Sequence, residues 1–439
     1  MGLRAHGITS KMRVQIKKLK MIIAVLLVEI EEDEEDEEDE EILDEKNEKL
    51  DYLLMEYYKL HYLPSVPRHP LRSAQYLGGG RSCIEHFSED SCYNYFRFTK
   101  DDLIELMRCL RLPREGKQYL DNGAYLMYEE IVLFSLHRFS TQGGSMQLSA
   151  ELIFDGRRHY TAYSRGFNWF CEYLLQRFSY LLTDNFEYWV QYFPMFAEAI
   201  RKKVNSKCAY PVGHEKYFYF KRGDFRVFGF FDCCVSEISR PGTGPLAGGG
   251  PGAPRGRVVG ENGVSIQEQE AFFNNWKKYC GLKHLTIESI FGMCIYLYGP
   301  DSFIRNDNRL VNESGVNNLL ERAQLNWYHE LYSVYGDRIF VCDTCISRAY
   351  SGDPTPRQLH INSCMSSVRI ANEWNYGLTY IKFPFVNTPS KLKLKSHPNV
   401  AHYYKIATLL RNANACCYGT GASLYFDVTP PSLSHYFRL

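Results

Sequence analysis

Apolar residues recur at helical spacing through the first half of the chain, from residue 51 to about 205. At 99–103 the segment Thr-Lys-Asp-Asp-Leu supplies a threonine N-cap and first-turn acids, and apolar residues then follow at helical spacing through Leu110. The same period continues in 129–139 and 163–182. We therefore predict a helical domain over residues 51–205.

Two short helices in this region are separated by a turn. Residues 145–154 form the first, Asp155-Gly156 follow, and a second helical segment opens at Tyr160. Two short helices joined by a Gly-containing turn are the outline of a helix-turn-helix, which makes the region a candidate DNA-binding domain. Ordinary helical bundles contain the same outline, so that alternative stays open.

Beyond residue 217 the pattern changes to short apolar runs with strand character. The predicted elements are, in chain order, strands at 225–232, 282–288 and 293–298, a helix at 308–325, a strand at 332–335 and a helix from 363 to about 380. The turn at 289–292 would join the second and third strands as a hairpin. This order predicts a mixed α/β domain over residues 206–439.

Charge is distributed unevenly although the chain is formally neutral. Residues 1–50 carry a net charge of −7 and the remainder +7, and residues 31–41 are eleven consecutive acids. Such a run repels itself and buries no apolar surface, so we predict a disordered acidic tail over residues 1–50. The mildly basic remainder is compatible with binding nucleic acid.

Several classes of protein are excluded by composition. No segment reaches the roughly 18–20 consecutive apolar residues of a membrane span, so no membrane partner is expected. Residues 21–28 follow three lysines, but this apolar run is short and leads into the acidic block rather than a cleavage site, which argues against export. The Gly/Pro-rich segment 241–263 contains no Gly-Lys-Ser/Thr, so a nucleotide-binding loop is not supported.

The fourteen cysteines are scattered without the regular spacing of a secreted disulfide scaffold, which indicates reduced, intracellular thiols. Cys342 and Cys345 form a single CxxC pair. A zinc site needs two further ligands at matching spacing, and no second CxxC or HxxxH lies nearby. The pattern therefore favours strand-edge cysteines at these two positions.

Three acids of the predicted α/β domain are candidates for one site. Asp232 ends the first predicted strand, Asp337 ends a later strand, and Glu373 lies in the following helix. Neighbouring strand ends meet at one sheet edge, and converging carboxylates suit hard cations such as Mg²⁺ or Mn²⁺. Two ions roughly 3.5–4 Å apart could serve phosphodiester cleavage, with the carboxylates within roughly 4–8 Å of one another. Each acid alone is more often a helix cap or a surface charge.

Arg369 precedes Glu373 by four residues, so both side chains lie on one helix face. An arginine in this position could orient the glutamate or contact a DNA phosphate.

Several short blocks occur in a characteristic order and spacing. They are Phe230-Phe231-Asp232 with Arg240-Pro241, the segments 273–278 and 281–283, Tyr298-Gly299-Pro300 with Asn306-Asp307 and Ser314, Tyr335-Gly336-Asp337, the Arg369 to Gly377 segment, and Phe426 with Pro430-Pro431 and Tyr436. Taken together, these blocks resemble the Harbinger-type DDE transposases, and the resemblance runs from about residue 90 to the end of the chain.

This resemblance implies an RNase-H-like fold, catalysis by two divalent ions and cut-and-paste of DNA ends. It matches both Asp307 and Asp337 as the second acid, and we prefer Asp337 because it ends a strand. The sequence departs from the family pattern at Cys233-Cys234, where Gly and Thr are common, and at Phe340, where Tyr is common.

The leading hypothesis is thus a metal-dependent DNA endonuclease and strand transferase. The rival is a domesticated, inactive DNA-binding protein, and a third hypothesis is an adaptor whose acidic tail recruits partners. The resemblance implies DNA as partner and a nuclear location. It also raises two further partners, a separate DNA-binding accessory protein and a second copy of the chain.

Overall fold

In the computed structural model, the described residues all lie within one compact unit, Leu77–Leu439. They are residues 84–438 except 121–122, 124, 143–144, 155–158, 212, 241–271, 275–276 and 395–397. The predicted acidic tail and the Gly/Pro-rich segment 241–263 lie outside the described residues. The predicted division of the chain at residue 205 stays a prediction.

Helices dominate the part of the described chain that precedes residue 208. They are α1 Glu89–Phe96, α2 Lys100–Cys109, α3 Tyr128–Ser140, α4 Met146–Phe154, α5 Tyr160–Phe178, α6 Tyr180–Thr183, α7 Phe186–Trp189 and α8 Phe193–Lys207, with a hairpin of β1 Lys117–Tyr119 and β2 Tyr125–Met127 between α2 and α3. The predicted cap of α2 is confirmed, because the Thr99 side chain accepts a hydrogen bond from the backbone N–H of Asp102.

The two helices of the proposed helix-turn-helix are present as α4 and α5, and the turn between them lies in 155–158, outside the described residues. Aromatic stacking joins them, with the rings of Phe154 and Tyr163 4.5 Å apart. The buried face of α5 includes Phe167 and Phe170. That these helices bind DNA stays a prediction.

The second half contains a five-stranded mixed sheet in the order β5-β4-β3-β6-β7, which confirms the predicted mixed α/β character. The strands are β3 Val227–Ile238, β4 Cys280–Glu288, β5 Cys294–Ser302, β6 Ser333–Gly336 and β7 Ile346–Arg348. The pairs β3–β4 and β4–β5 are antiparallel, whereas β3–β6 and β6–β7 are parallel. The predicted hairpin between β4 and β5 is confirmed, and its turn includes Gly292 at a φ of 73°.

The predicted end of the first strand at Asp232 is wrong. Strand β3 continues for six more residues, because its pairing with β4 extends from Phe230 opposite Glu288 to Ile238 opposite Cys280. An acid is tolerated in mid-strand here because Arg369 contacts its carboxylate.

Helices α9 Asp307–Ser314 and α10 Val316–Gln324 replace the single helix predicted over 308–325. They are separated by Gly315, which has a φ of 62°. Helix α11, Pro356–Lys382, begins seven residues before its predicted start, because Thr355 and Gln358 form a capping box and Pro356 occupies the first turn.

Helix α12, Tyr403–Tyr418, was not assigned from the sequence and lies at the centre of the core, since every residue from 403 to 415 is buried. On the side of the N-terminal helices, the Asn414 amide donates to the backbone oxygen of Arg97 at 2.6 Å. On the side of the sheet, Arg411 pairs with Glu288 of β4. This helix therefore joins the N-terminal helices and the sheet into a shared core.

Two short helices, α13 Gly421–Tyr425 and α14 Leu433–Tyr436, follow α12. Short 3₁₀ turns occur at Ile84–His86, Val190–Tyr192, Pro384–Asn387, Pro389–Lys391 and Pro398–His402. No helix in the described part of the chain combines the length and the hydropathy that crossing a membrane would require.

Candidate active site

Asp232 lies in the middle of the central strand β3, next to the end of β6. The parallel register pairs Phe231 of β3 with Gly336 of β6. The residue that follows in each segment is an acid, Asp232 within β3 and Asp337 just after β6. The Asp232 side chain is 23% exposed, and Asp337 is exposed. The sheet register thus brings together two acids that are 105 residues apart in sequence.

Helix α11 brings Arg369 and Glu373 to the same place. The guanidinium Nη1 of Arg369 donates to Oδ2 of Asp232 at 3.0 Å, and its Nη2 lies 3.5 Å from Oε1 of Glu373. One arginine thus links the two carboxylates, and its predicted role in orienting Glu373 or contacting a DNA phosphate stays a prediction.

Asp232 is poorly stabilised as an anion. Burial raises the pKa of Asp232 to about 6, and the negative charges of Asp337 and Glu373 add to that rise. The positive charge of Arg369 and a hydrogen bond from the backbone N–H of Cys233 act in the opposite direction. Asp232 is therefore close enough to Asp337 and Glu373 to be repelled by both, and Arg369 does not offset burial and this repulsion together.

Asp307, the alternative second acid, has a different partner. Nζ of Lys283 lies 2.7 Å from its Oδ1 and also donates to the backbone oxygen of Arg305. Lys283 on β4 is opposite Val235 on β3. Side chains alternate along a strand, so Lys283 projects from the face of the sheet opposite to that of Asp232. The structure brings Asp232 and Asp337 together, whereas Asp307 pairs with a lysine.

Tyr376 and Thr286 extend the site and were missed in the sequence. Their hydroxyl oxygens are 2.5 Å apart, and Thr286 on β4 is the direct cross-strand neighbour of Asp232. Burial raises the pKa of Tyr376, and the negative charge of Asp232 contributes. The spacing of Tyr376 from Arg369 and Glu373, seven and three residues, is that of one helix face and could have identified it.

The three preferred acids are partly accessible to solvent, since Asp232 and Glu373 are 23% and 32% exposed and Asp337 is exposed. A cavity of about 510 Å³ lies beside β6 and β7, with Tyr335, Arg348 and Met365 in its wall, and none of the four candidate acids lines it. A partly accessible carboxylate site can be approached by a bulky polymeric substrate.

One comparison with known protein families gave a match. Residues 260–412 match the family model of the DDE superfamily endonucleases. The matched segment includes Asp307, Asp337, Arg369 and Glu373, and it begins after Asp232. The match supports the DDE superfamily and suggests a transposase-like nuclease domain. Comparisons with curated proteins and with solved structures gave no match.

Proposed function

We propose that this protein is a transposase-like DNA endonuclease of the Harbinger type, which cleaves and joins DNA phosphodiesters. Asp232, Asp337 and Glu373 would hold two divalent ions, Mg²⁺ or Mn²⁺. The observation that carries the proposal is the convergence of these acids, with Asp232 beside Asp337 in the parallel register and linked to Glu373 through Arg369.

The topology of the sheet supports an RNase-H-like fold for this domain. Three antiparallel strands, β5, β4 and β3, are extended by β6 and β7, which run parallel to β3. The first acid lies on β3, the second directly follows β6, and the third lies on the long helix α11. This arrangement agrees with the fold that the family resemblance implies.

The donor set fits small hard cations. Carboxylate oxygens are the ligands that Mg²⁺ and Mn²⁺ prefer, and mutual repulsion among the acids would be relieved by added positive charge. Bound there, divalent ions would supply an activated water and stabilise the leaving oxygen of the phosphodiester.

The surrounding residues hold the carboxylates in place. Oδ1 of Asp232 accepts the backbone N–H of Cys233 at 2.7 Å, and Oδ1 of Asp337 accepts the backbone N–H of Arg338 at 2.6 Å. Arg369 keeps Asp232 charged at a lower pH than its burial alone would allow. We propose Arg369 as the positioning residue of the site, and Asp337 rather than Asp307 as the second ligand.

The partners follow from the same proposal. The substrate is DNA, and a separate DNA-binding accessory protein, a second copy of the chain and a nuclear location remain predictions from the family resemblance. The alternative is a domesticated, inactive DNA-binding or adaptor protein. Such a protein would have the same fold but would not cleave DNA.

Nicking of supercoiled plasmid by the full chain, with Mg²⁺ or Mn²⁺, tests the proposal. Asp232→Asn, Asp337→Asn and Glu373→Gln should each reduce nicking by more than about 100-fold, since losing an outer-shell partner alone costs up to about that much. The matched control is Asp307→Asn, which should retain nicking within a few-fold.

Unchanged nicking by Asp232→Asn would rule out the chemistry. Loss in Asp307→Asn with retention in Asp337→Asn would reverse the choice of the second ligand. A wild-type chain that binds DNA but nicks in neither metal would favour the domesticated alternative over the nuclease.

A further inference from the structure

Two cysteines and a histidine from distant parts of the chain converge away from the acids. The ligand atoms of Cys208, His360 and Cys364 all lie within 4.8 Å of one another. Cys208 is the C-cap of helix α8, whereas His360 and Cys364 are one turn apart on helix α11. The cluster therefore joins the end of one helix to the first turns of another.

The surroundings of the cluster suit a thiophilic ion. The two cysteines are 1% and 4% exposed, and Sγ of Cys364 lies 3.6 Å from Nε2 of His360. His360 is partly exposed, which leaves a path for an ion to enter. Two thiolates and an imidazole are the donor types that zinc prefers in proteins, whereas Mg²⁺ prefers oxygen ligands.

The thiol groups of Cys208 and Cys364 are neighbours, with their sulfur atoms within 4.8 Å of each other. A hydrogen bond from Cys208 lowers the pKa of Cys364 against the effect of burial, and the positive charge of Lys207 contributes. The same bond, together with burial, raises the pKa of Cys208. Zinc binding would release the protons of both thiols, since cysteine binds a metal ion as the thiolate.

We propose that Cys208, His360 and Cys364 bind one Zn²⁺ ion, which ties the end of helix α8 to helix α11. Zinc favours four ligands, and His214 is the candidate for the fourth. The Tyr210 ring stacks on the His214 ring at 4.5 Å and contacts the His360 ring edge-on at 4.7 Å, so the two histidines contact the same tyrosine ring.

The ion would have a structural role that is separate from the acids. Glu373 follows Cys364 by nine residues, or about 13.5 Å along a helix. Zinc would therefore fix the N-terminal half of the helix that carries Arg369 and Glu373 further along. It would contact neither of these side chains.

The metal content of the purified full chain tests this proposal. After loading with zinc under reducing conditions and dialysis against Mg²⁺, the wild type should retain one zinc per chain. Cys208→Ser and Cys364→Ser should lose it, whereas the control Cys342→Ser, an exposed thiol outside the cluster, should retain it. Substitution of zinc by cobalt should give a thiolate-to-cobalt charge-transfer band, which carboxylate ligands cannot produce. If His214 is the fourth ligand, His214→Asn should alter the spectrum of the cobalt-loaded protein.

Several outcomes would overturn the zinc site. They are a cobalt-loaded wild type without a thiolate band, retention of zinc by both serine variants, and recovery of Cys208 and Cys364 as a disulfide from reduced protein. If the serine variants do not fold, alkylation of Cys364 in the wild type tests the zinc site instead. Bound zinc should protect this thiol from alkylation. Equal alkylation with and without zinc would contradict the site. The Asp232→Asn variant should keep its zinc, so failure of the nuclease proposal leaves this result intact.

Discussion

Arg369 and Asp232 are 137 residues apart in the chain, yet the guanidinium Nη1 and the carboxylate Oδ2 are 3.0 Å apart. The same guanidinium lies 3.5 Å from Glu373. Asp232 nevertheless keeps a raised pKa, because burial and two neighbouring acids outweigh the arginine. We therefore expect the ionised form of Asp232 to lower the stability of the metal-free folded protein at neutral pH.

Replacement of Asp232 by Asn should stabilise the metal-free protein at pH 7. The pKa of Asp232 is raised from 3.8 to about 6, so between these values the folded state binds more protons than the unfolded state, and stability falls as pH rises. The cost is complete above pH 6 and amounts to at most about 3 kcal/mol, from the difference between the two pKa values. Asp232→Asn removes it, and most of the gain should disappear at pH 4.

Urea unfolding with a chelator at the two pH values measures this effect. Asp353→Asn, on an exposed loop, is the control and should change little. If Asp232→Asn is less stable than wild type at pH 7, the acids do not repel as the structure indicates. Added Mg²⁺ should stabilise the wild type more than the variant, since a ligand that binds the folded state raises its stability.

Arg369→Ala should lower nicking about 10- to 100-fold, the range expected when a partner of a metal ligand is lost. Without the guanidinium, the pKa of Asp232 rises further, so the acid limb of the pH–rate profile should move to higher pH. Arg369→Lys keeps the positive charge but loses the planar guanidinium group that can contact two carboxylates at once. It should therefore move the acid limb less than Arg369→Ala does. A purely structural role would reduce the rate without moving the acid limb, and that result would contradict the assignment.

The buried pair Glu288–Arg411 should be essential to stability. Both side chains are 1% exposed, and Nη2 of Arg411 lies 3.0 and 2.9 Å from the two carboxylate oxygens. Glu288→Ala leaves a buried, unpaired guanidinium and should cost about 3–5 kcal/mol in denaturant unfolding. The double variant Glu288→Met/Arg411→Met should be less destabilised than the single one.

The exposed pair of Arg108 with Glu105 is the control, because its side chains are 57% and 37% exposed. Glu105→Ala should cost less than about 1 kcal/mol. A loss of the same small size for Glu288→Ala would mean that Arg411 finds another partner.

Deletion of residues 1–50 should strengthen non-specific DNA binding. The segment carries −7 and the remainder +7, so we expect the acidic residues to compete with phosphate for basic side chains of the remainder. The truncated chain should also lose affinity more steeply with salt, because more counterions are released per complex. Binding to random duplex at two salt concentrations measures both effects.

A full-length chain with the acids of 31–41 replaced by Gly and Ser is the matched control and should behave like the truncation. If both bind no better than wild type, the acidic segment is only a spacer. Absence of DNA binding in all three would contradict the DNA-binding function.

The sequence by itself determined the elements whose signals are local. The Thr99 cap, the turn before Gly292 and the end of a strand at Gly336 each depend on a few adjacent residues, and the structure agrees with all three. The face shared by Arg369 and Glu373 also follows from helical spacing alone. Acids, spacing and family resemblance predicted the candidate site, but not which contacts would form within it.

Tertiary structure decided what depends on contacts between distant residues. Pairing with β4 carries the first strand past Asp232, and a lysine on that strand neutralises Asp307. The cluster of Cys208 with His360 and Cys364 spans more than 150 residues, so no local spacing reveals it. Helix α12 is buried on all sides and therefore lacks the polar face that marks a surface helix in a sequence. Its position becomes apparent only when the elements that cover it are in place.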